Sequence, residues 1–340
     1  MSLKAIASAL GLSVTTVSRA LNGFDDVAAA TRKRIEEEAD RRGYRPNAAA
    51  RRLKTGRANA VGLVFPVSNA SLNDSYYSEM LLTLDQRLAL HEIDLLLLPD
   101  KPQDQQRNLL RMLRMLRMLR SGVLDALIVT HTTPQDVRLQ RLQQKGFRFL
   151  TLGRSQLPQP YAWFDYDNHA GTLLAAQHCQ QQGYTRIAYL GGNEPSTYIL
   201  DRRQGFIDAL PATPCAQQAG WMAALPPSRR AGYQQTRAWL AHDIQPDAII
   251  TDCSPLGEGA AIALQQAGRL SGAQAIPLYV YDGLPHDSII TQPVNAILQS
   301  SQQRIGERVA EMVLQLLEGA PPAQLQTLWQ PMLRLTSDAQ

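Results

Sequence analysis

The stretch Leu3–Leu21 reads LKAIASALGLSVTTVSRAL, and its pattern predicts two short helices separated by a tight turn. Apolar side chains recur at helical spacing up to Leu10, and Gly11 suits the left-handed position that ends many helices. Ser13 can cap a second helix, Val14–Leu21, by accepting one of its unpaired backbone N–H groups. Two short helices joined by a three-residue turn that contains glycine form a helix-turn-helix unit.

A third helix is expected over Ala29–Arg42. Its expected i, i+4 ion pairs are Glu37–Arg41 and Glu38–Arg42, and Gly43 supplies a stop signal. Ala28 offers no side-chain oxygen, so this helix should begin without a side-chain cap. The N-terminal part of the chain is therefore expected to be a three-helix head.

The second helix carries side chains that suit DNA. Arg19 can form a bidentate pair with guanine, Thr15 can reach a base edge, and Val14 can touch a thymine methyl group. Thr16 and Ser18 suit phosphate oxygens, which fix the register of a protein on DNA without reading its sequence. The alternative is a small helical bundle with ordinary solvated faces, because a helix-turn-helix pattern alone is not specific.

The segment after the head is short, basic and rich in helix formers. Residues 47–55 read NAAARRLKT, with an asparagine that can cap a helix and three alanines. An isolated helix in water needs about 12–15 residues, so we expect this shorter segment to fold only against a partner. Leu53 lies between Arg52 and Lys54, where a large apolar side chain suits a wedge between the base steps of DNA.

Positive charge is concentrated at the N-terminus. Residues 1–57 contain 12 basic and 6 acidic side chains, whereas the rest of the chain contains 22 basic and 24 acidic ones. The overall charge of +4 therefore hides a cationic head on a slightly acidic body. We expect only the head to meet a polyanion.

Composition excludes several classes of protein. With 44% hydrophobic residues in 340, the chain suits about two globular domains, and no apolar run reaches the ~18 residues of a membrane helix. Three widely spaced cysteines form neither a disulfide framework nor a metal set, which favours a reducing compartment. Ser8, Gly11 and Ser13 interrupt the apolar run that a secretory signal requires. We expect a cytoplasmic protein that does not act on membranes.

From Val61 onward, short apolar runs alternate with amphipathic segments. This alternation predicts a doubly wound α/β body, repeated in two subdomains. The predicted strands are 61–65, 93–98, 126–130, 149–152, 187–190, 248–251 and 278–281. Ligands bind at the carboxyl ends of the strands in such sheets.

Polar and aromatic side chains just beyond these strands are candidate ligand contacts. Planar donors and carboxylates suit paired hydroxyl groups, and an aromatic face suits the apolar side of a sugar ring. The candidates are Tyr76, Tyr77, His131, Arg154, Trp163, Asp165, Arg202, Asp252 and Asp282. Any one of them can instead be a helix cap, a surface charge or an interface contact.

Two other features of the sequence carry no chemistry. Residues 111–120 repeat Arg-Met-Leu with a period of three, which slips by about 60° per step on a helix and spreads the arginines over half of its surface. We expect one solvated and one buried face and assign the repeat no function. Residues 191–193 form no phosphate loop, and the histidines show no ligand spacing. We expect no enzyme activity, no metal and no cofactor.

Several motifs at fixed spacing resemble the lactose/galactose-repressor family (LacI/GalR type). They are LKAIA (3–7), GLSVTTVSR (11–19), RGYRPN (42–47), ARRL (50–53) and VGLV (61–64). The resemblance implies a three-helix helix-turn-helix head with a hinge helix, and an α/β periplasmic-binding-protein-like body of two doubly wound subdomains. The implied domains are 1–46 (DNA binding), 47–57 (hinge helix and linker) and 58–340 (effector binding and dimerisation).

The resemblance also assigns DNA contacts, since in this family the second helix lies in the major groove and two hinge helices pair in the minor groove. Base contacts would fall on Val14, Thr15 and Arg19, with Leu53 as the minor-groove lever. Backbone contacts would fall on Ser13, Thr16, Ser18, Asn22, Thr31, Tyr44 and Asn47. The chain departs from the family at Ala28, where a serine is usual.

In the body the resemblance is looser. Arg202 lies three residues before a glycine, like the family's effector-contacting arginine, and Asp282 resembles its strand-end aspartate. Asp252 and Cys253 stand where the family has an Asn-Asp pair. The stretches RRLKTG (51–56), AWFDYDNHAGT (162–172), RRAGY (229–233) and VYDGLP (280–285) look more particularly like enterobacterial repressors of raffinose and related α-galactoside operons.

These resemblances imply a homodimeric repressor that binds a pseudopalindromic operator in double-stranded DNA and responds to a sugar. A raffinose- or melibiose-like α-galactoside is the expected inducer, although the sequence leaves open whether the sugar releases or promotes DNA binding. One alternative is a periplasmic-type sugar-binding protein without DNA function, which would carry a cleavable leader. Another is a catabolic enzyme of the same pathway, which would turn over the bound sugar.

Overall fold

A computed structural model describes residues 2–21, 24–44, 57–66, 75–100, 105–210 and 221–336. The chain divides into two compact units, Met1–Ala58 and Asn59–Gln340. The predicted hinge helix, with Asn47 and Leu53, lies outside the described residues, as does Asn22.

The first unit is a three-helix head. Its helices are α1 (Leu3–Leu10), α2 (Val14–Leu21) and α3 (Ala29–Arg41). Gly11 ends α1 with φ 66°, and Ser13 caps α2 because its Oγ accepts the N–H of Thr16 at 2.9 Å. The core consists of Ile6, Val17 and Ile35, whose side chains are at most 1% exposed. The prediction of three helices is confirmed.

Two details of α3 can be compared with the sequence. As expected, Ala28 provides no side-chain cap. The expected pair Glu38–Arg42 forms, but Arg41 bonds Glu38 rather than Glu37. Glu38 is the buried carboxylate of the two, so both arginines converge on it, and their hydrogen bonds lower its pKa to about 2.

The body is an α/β structure. In chain order its elements are β1 (Ala60–Pro66), α4 (Ser75–Ala89), β2 (Asp94–Asp100), α5 (Gln105–Arg120), β3 (Ala126–Val129), α6 (Val137–Gln144), β4 (Phe149–Leu152), β5 (Ala162–Tyr166), α7 (Asn168–Gln181), β6 (Ile187–Gly192), α8 (Thr197–Ala209), β7 (Met222–Leu225), α9 (Arg229–Leu240), β8 (Ala248–Thr251), α10 (Ser254–Gln266), β9 (Leu278–Tyr281), β10 (Asn295–Leu298), α11 (Gln302–Glu318), β11 (Gln326–Trp329) and β12 (Met332–Arg334).

These strands form two sheets, one in each subdomain. Within the described chain, the first sheet has the order β11-β5-β4-β3-β1-β2 and the second β12-β10-β9-β8-β6-β7. Every neighbouring pair is parallel except β10 with β12. The predicted two-subdomain, doubly wound body is confirmed, and the carboxyl ends of its parallel strands form one edge of each sheet.

The predicted strands are all present. Five further strands were not predicted from the sequence: β5, β7, β10, β11 and β12. Three of them, β7, β11 and β12, lie at sheet edges and are partly exposed. Strands β11 and β12 contain polar residues, and β7 contains two alanines, which are depleted in strands. In β5 an aspartate interrupts the run, and β10 (NAIL) begins with an asparagine, which leaves only three apolar residues. Short, mixed strands give a weak periodic signal.

The chain passes between the subdomains after β5, after β10 and after β11. Tyr166, at the end of β5, accepts the N–H of Ser300 at its hydroxyl oxygen (2.8 Å), and the N–H of Asp167 donates to the carbonyl of Trp329 (2.9 Å). Tyr166 and Trp329 also contact edge to face, with ring centroids 5.9 Å apart. These contacts hold the three crossing segments together.

The Arg-Met-Leu repeat lies in α5. Met112, Met115, Leu116 and Leu119 are buried at i, i+3, i+4 and i+7 spacing, whereas the arginines at 114, 117 and 120 are exposed. The expectation of one buried and one solvated face is confirmed. Every helix in the described residues is too short or too polar to span a bilayer.

Candidate functional site

The outer face of α2 carries the side chains expected to meet DNA bases. Val17 and Ala20 are buried against the other helices of the head. Val14 and Thr15, on the opposite face, are exposed. A helix with one face in a core and short aliphatic and hydroxyl side chains on the other can lie in a major groove.

Arg19 is held by its own head. Its Nε lies 2.6 Å from Asp26 Oδ2, and its guanidinium stacks at 4.5 Å from the ring centroid of Phe24. Both partners of this ion pair are more than a third exposed, so the pair stabilises the head little. Arg19 must exchange Asp26 for a guanine before it can read a base.

The residues expected to contact the DNA backbone divide into exposed and packed groups. Ser13 Oγ lies 2.8 Å from Thr16 Oγ1, at the N-terminus of α2, where helix N–H groups favour anions. Thr31 and Ser18 are half-buried on α3 and α2. Tyr44 packs its ring against the core of the head and is also half-buried.

Arg202 is the centre of the candidate effector pocket. It lies in the second turn of α8, and it is 5% exposed. Its Nε donates to Asn168 Oδ1 (2.8 Å), and its Nη1 donates to the carbonyl of Asp252. The rings of Tyr281 and Tyr198 lie 3.4 and 5.0 Å from its Cζ, so a buried cation is held between two aromatic faces.

Two carboxylates follow the neighbouring strands. Asp252 directly follows β8; its Oδ2 accepts the N–H of Gly192 (2.7 Å), and its Oδ1 finds no N–H or O–H donor within the described residues. Burial raises the pKa of Asp252, although the Gly192 N–H and Arg202 oppose that effect. Asp282 follows β9 with φ 66°, a left-handed conformation that turns the chain sharply. The buried Asp252 Oδ1 can accept a hydrogen bond from a ligand hydroxyl group.

His131 follows β3 in the first subdomain. Its ring meets Tyr198 edge to face at 5.8 Å, and its Nδ1 lies 3.2 Å from Thr130 Oγ1. Burial lowers the pKa of His131 to about 4, and the charge of Arg138 contributes. A neutral imidazole can therefore donate and accept hydrogen bonds at the pocket near pH 7.

The other predicted effector contacts lie after β4, in β5 and in α4, and two of them are bonded to each other. Arg154 Nε donates to Asp165 Oδ2 (2.9 Å), and its guanidinium lies 5.7 Å from the Trp163 ring. Trp163 and Asp165 belong to β5, not to a loop. Tyr76 and Tyr77 fall in the first turn of α4, after β1.

The structure adds two residues that the sequence reasoning missed, Asn168 and Tyr198. Asn168 begins α7 and touches Arg202 across a separation of 34 residues, which no local pattern shows. Tyr198 lies four residues before Arg202, one helical turn, so the i, i+4 spacing is the signal that points to it.

The family comparisons cover both units. A profile described as "Bacterial regulatory proteins, lacI family" matches residues 2–47. A second, described as "Periplasmic binding proteins and sugar binding domain of LacI family", matches residues 58–329.

Individual proteins agree with these profiles. The HTH-type transcriptional regulator RafR of Escherichia coli is 46% identical over 331 residues, which cover 97% of this chain and 96% of RafR. A crystal structure from Yersinia pestis biovar Microtus, assigned as a transcriptional regulator, has a TM-score of 0.74 at 40% identity and covers 82% of this chain and 96% of that chain. The lac repressor dimer bound to operator and the anti-inducer ONPF has a TM-score of 0.80 at 22% identity, covering 98% and 97% of the chains, which shows a common fold.

These matches decide between the function classes. A sugar-binding protein without DNA function would not carry the matched head, and the similar proteins are transcriptional regulators rather than enzymes. The chain is thus a DNA-binding transcriptional regulator with a sugar-binding domain, and it belongs to the LacI family of bacterial regulatory proteins.

Proposed function

We propose that the protein is a homodimeric cytoplasmic repressor of an α-galactoside utilisation operon, released from its operator by the sugar. The observation that carries the proposal is a buried polar group, in which Arg202 donates to the backbone carbonyl of Asp252 and is close enough to Asp282 to interact with its charge. One guanidinium and two carboxylates suit a neutral polyhydroxyl ligand and disfavour a phosphorylated one. Among neutral sugars, the resemblance of residues 162–172 and 280–285 to α-galactoside repressors favours an α-galactoside as the effector.

The sugar changes DNA binding through a difference in affinity. It can shift the protein only towards the arrangement of subdomains that binds it better, and release follows if that arrangement holds the operator poorly. The effector site in this proposal comprises Tyr76, Tyr77, His131, Arg154, Trp163, Asp165, Arg202, Asp252 and Asp282.

The DNA contacts are proposed on the head and hinge. Base contacts are Val14, Thr15, Arg19 and Leu53, and backbone contacts are Ser13, Thr16, Ser18, Asn22, Thr31, Tyr44 and Asn47. Leu53→Ala is expected to weaken operator binding while sparing much of the binding to unrelated duplex. A salt-controlled gel-shift titration measures both, and an equal loss in both contradicts the wedge.

Exposed leucines in and around an edge strand support the homodimer. Strand β2 is the edge of the first sheet, and the leucines on it and on its flanking segments are exposed: Leu90 by 75%, Leu97 by 55%, Leu110 by 67% and Leu113 by 52%. An edge strand beside exposed leucines is covered in stable proteins. A second copy covers it symmetrically and supplies the second head for a two-fold operator.

Sedimentation equilibrium tests the dimer. The double variant Leu97→Asp and Leu113→Asp is expected to be monomeric, while Ile244→Asp, which changes an exposed residue of the second subdomain, stays dimeric. A dimer that survives the double substitution places the interface elsewhere.

Calorimetric titration of the full-length protein tests the effector. Melibiose and raffinose are expected to bind and to release a fluorescent operator duplex, whereas the β-galactoside lactose and galactose 6-phosphate are not. Binding of the β-galactoside or the phosphorylated sugar alone would overturn the proposed ligand class.

A further inference from the structure

Five polar side chains of the body form a closed ring: Arg202, Asn168, Asp165, Arg154 and Asp201. Arg202 Nε donates to Asn168 Oδ1 (2.8 Å), and Asn168 Nδ2 donates to Asp165 Oδ1 (3.2 Å). Arg154 Nε donates to Asp165 Oδ2 (2.9 Å), and its Nη2 lies 3.7 Å from Asp201 Oδ2. Asp201 directly precedes Arg202 in α8, so the helix backbone closes the ring.

The polar ring crosses between the subdomains. Asp165 lies in β5 and Arg154 just after β4, both in the first sheet. Asn168 begins α7, and Asp201 and Arg202 lie in α8, which packs on α7 in the second subdomain. A change in the arrangement of the subdomains must therefore stretch or break a bond of the ring.

The inner members of the ring are fixed by one another. Arg202, Asn168 and Asp165 are 5%, 2% and 7% exposed. Asn168 Nδ2 also donates to the carbonyl of Tyr166 (3.0 Å), and Asp165 Oδ1 accepts the N–H of Tyr166 (2.8 Å). Buried groups bonded in this way leave each other little freedom, because a broken bond leaves a polar atom unpaired.

A second set of hydrogen bonds joins the same two subdomains. Thr197, the first residue of α8, donates its N–H and its hydroxyl to the carbonyl of Thr132, both at 2.8 Å. Thr132 Oγ1 in turn donates to the carbonyl of Arg154 (2.9 Å). The loops after β3 and β4 are thereby attached to the helix that carries Arg202.

We infer that Asn168, Asp165, Arg154 and Asp201 are positioning residues, which hold Arg202 in the pocket and make its position depend on the arrangement of the two subdomains. Asp165 thus acts on the sugar through Asn168 and Arg202, since both of its carboxylate oxygens are already bonded. Arg154 acts through the same contacts, because its Nε is bonded to Asp165 and its Nη2 faces Asp201. The inference rests on the proposed function for its ligand, an α-galactoside, but the ring itself can be tested without sugar.

A double-mutant cycle on the full-length protein tests the ring. Asn168→Leu is expected to raise the sugar Kd about tenfold or more, because it removes a charge-assisted hydrogen bond from Arg202. Arg154→Gln is expected to raise it about three- to tenfold, and Arg154→Lys, which keeps the charge, to recover part of that loss. The double variant is expected to lose less than the product of the single effects, because both changes open the same ring.

Asp201→Asn tests the outer contact of the ring, and Arg203→Gln is the control. Asp201→Asn is expected to raise the Kd about twofold in the wild-type background and to have no effect in Arg154→Gln. Arg203 is exposed on α8 and lies outside the ring, so Arg203→Gln should leave the Kd unchanged. If Asn168→Leu fails to fold, the pair Arg154 and Asp201, both 38% exposed, still completes a cycle.

Two outcomes overturn the inference. Single effects on the Kd that multiply in the double variant show that Arg154 contacts the sugar independently, and no effect of Asn168→Leu shows that Arg202 needs no positioning. The same cycle measured by urea unfolding requires no sugar. If wild type binds no α-galactoside while the unfolding cycle is non-additive, the proposed effector fails and the ring stands.

Discussion

The head gathers its candidate DNA contacts from one continuous segment, whereas the pocket collects its groups from separate parts of the chain. Ser13, Val14, Thr15 and Arg19 lie within a capped two-turn helix. Arg202, by contrast, meets Asn168 and Asp252 across 34 and 50 residues. A contiguous site depends on local helix signals, and a dispersed site depends on the whole sheet.

The comparison also concerns burial. The side chain of Arg19 in the head is more than a third exposed and pairs with the exposed carboxylate of Asp26. Arg202, by contrast, is almost completely buried and lies over the rings of two tyrosines. An exposed side chain can exchange partners at little cost, which suits the proposed change of Arg19 from Asp26 to DNA. A buried one is fixed by its partners, which suits recognition of a small ligand.

The largest expected effect is a loss of sugar affinity in the body without a loss of operator affinity in the head. Arg202→Met preserves apolar volume but removes the buried guanidinium, so sugar affinity should fall about 100-fold, or about 3 kcal/mol, while operator affinity without sugar stays within about twofold. Calorimetry and operator anisotropy measure the two effects. The exposed neighbour Arg203→Met is the control, and retained induction by sugar in Arg202→Met would remove Arg202 from the pocket.

The reciprocal change lies in the head. Arg19→Met should weaken operator binding by about 2 kcal/mol, about 30-fold, because a bidentate contact to guanine is lost, and sugar affinity should not change. Operator and unrelated duplexes of equal length are compared at fixed salt concentration. Equal losses on both duplexes would assign Arg19 to phosphate rather than to a base.

A pH effect between about pH 7 and 5 is expected in the body, because all six histidines lie outside the head. The pKa of His131 is lowered by burial from 6.5 to about 4, so between these values the unfolded chain binds a proton that the folded chain does not. Stability should therefore fall as pH drops from 6.5 to 4, by about 1–2 kcal/mol for this half-buried group. Urea unfolding of wild type and His131→Gln at pH 7 and 4.5 measures this loss of stability. An identical pH dependence in the two proteins would show that His131 does not cause it.

The smallest expected effect is confined to α2. Ser13→Ala removes the hydroxyl that accepts the N–H of Thr16, which should destabilise the head by about 1 kcal/mol and leave the body unchanged. Hydrogen exchange of the amides of α2 reports the change. Ser2→Ala is a matched control, since Ser2 precedes α1 without a side-chain cap bond. Equal effects of the two substitutions would mean that the cap contributes nothing.

Prediction from sequence succeeded where signals are local. Gly11 and Ser13 give the turn between α1 and α2, and the apolar runs give the central strands of both sheets. It failed where a strand is short or partly polar, as in β5 and β12, because such strands are defined by their neighbours. The pairing of Arg41 with Glu38 instead of Glu37 is a similar case, since burial of one carboxylate decided it.

In the pocket, sequence reasoning named Arg202, Asp252 and Asp282 from their positions beyond strands, and the structure places Arg202 beside Asp252. It also named Arg154 and Asp165 but could not show that they bond each other. Asn168 was missed because its role depends on two partners that are distant along the chain.

The amino-acid sequence alone was enough to specify a helix-turn-helix head, a cationic N-terminus and a doubly wound body, because caps, turns and apolar periodicity act between residues close in the chain. Tertiary structure decided which polar side chains have their bonding capacity satisfied within the protein and which keep an acceptor without an N–H or O–H donor in the described residues. Asp165 is fully engaged in the polar ring, whereas Asp252 keeps one buried oxygen without an N–H or O–H donor in the described residues. That difference arises from packing between distant segments, which local sequence does not encode.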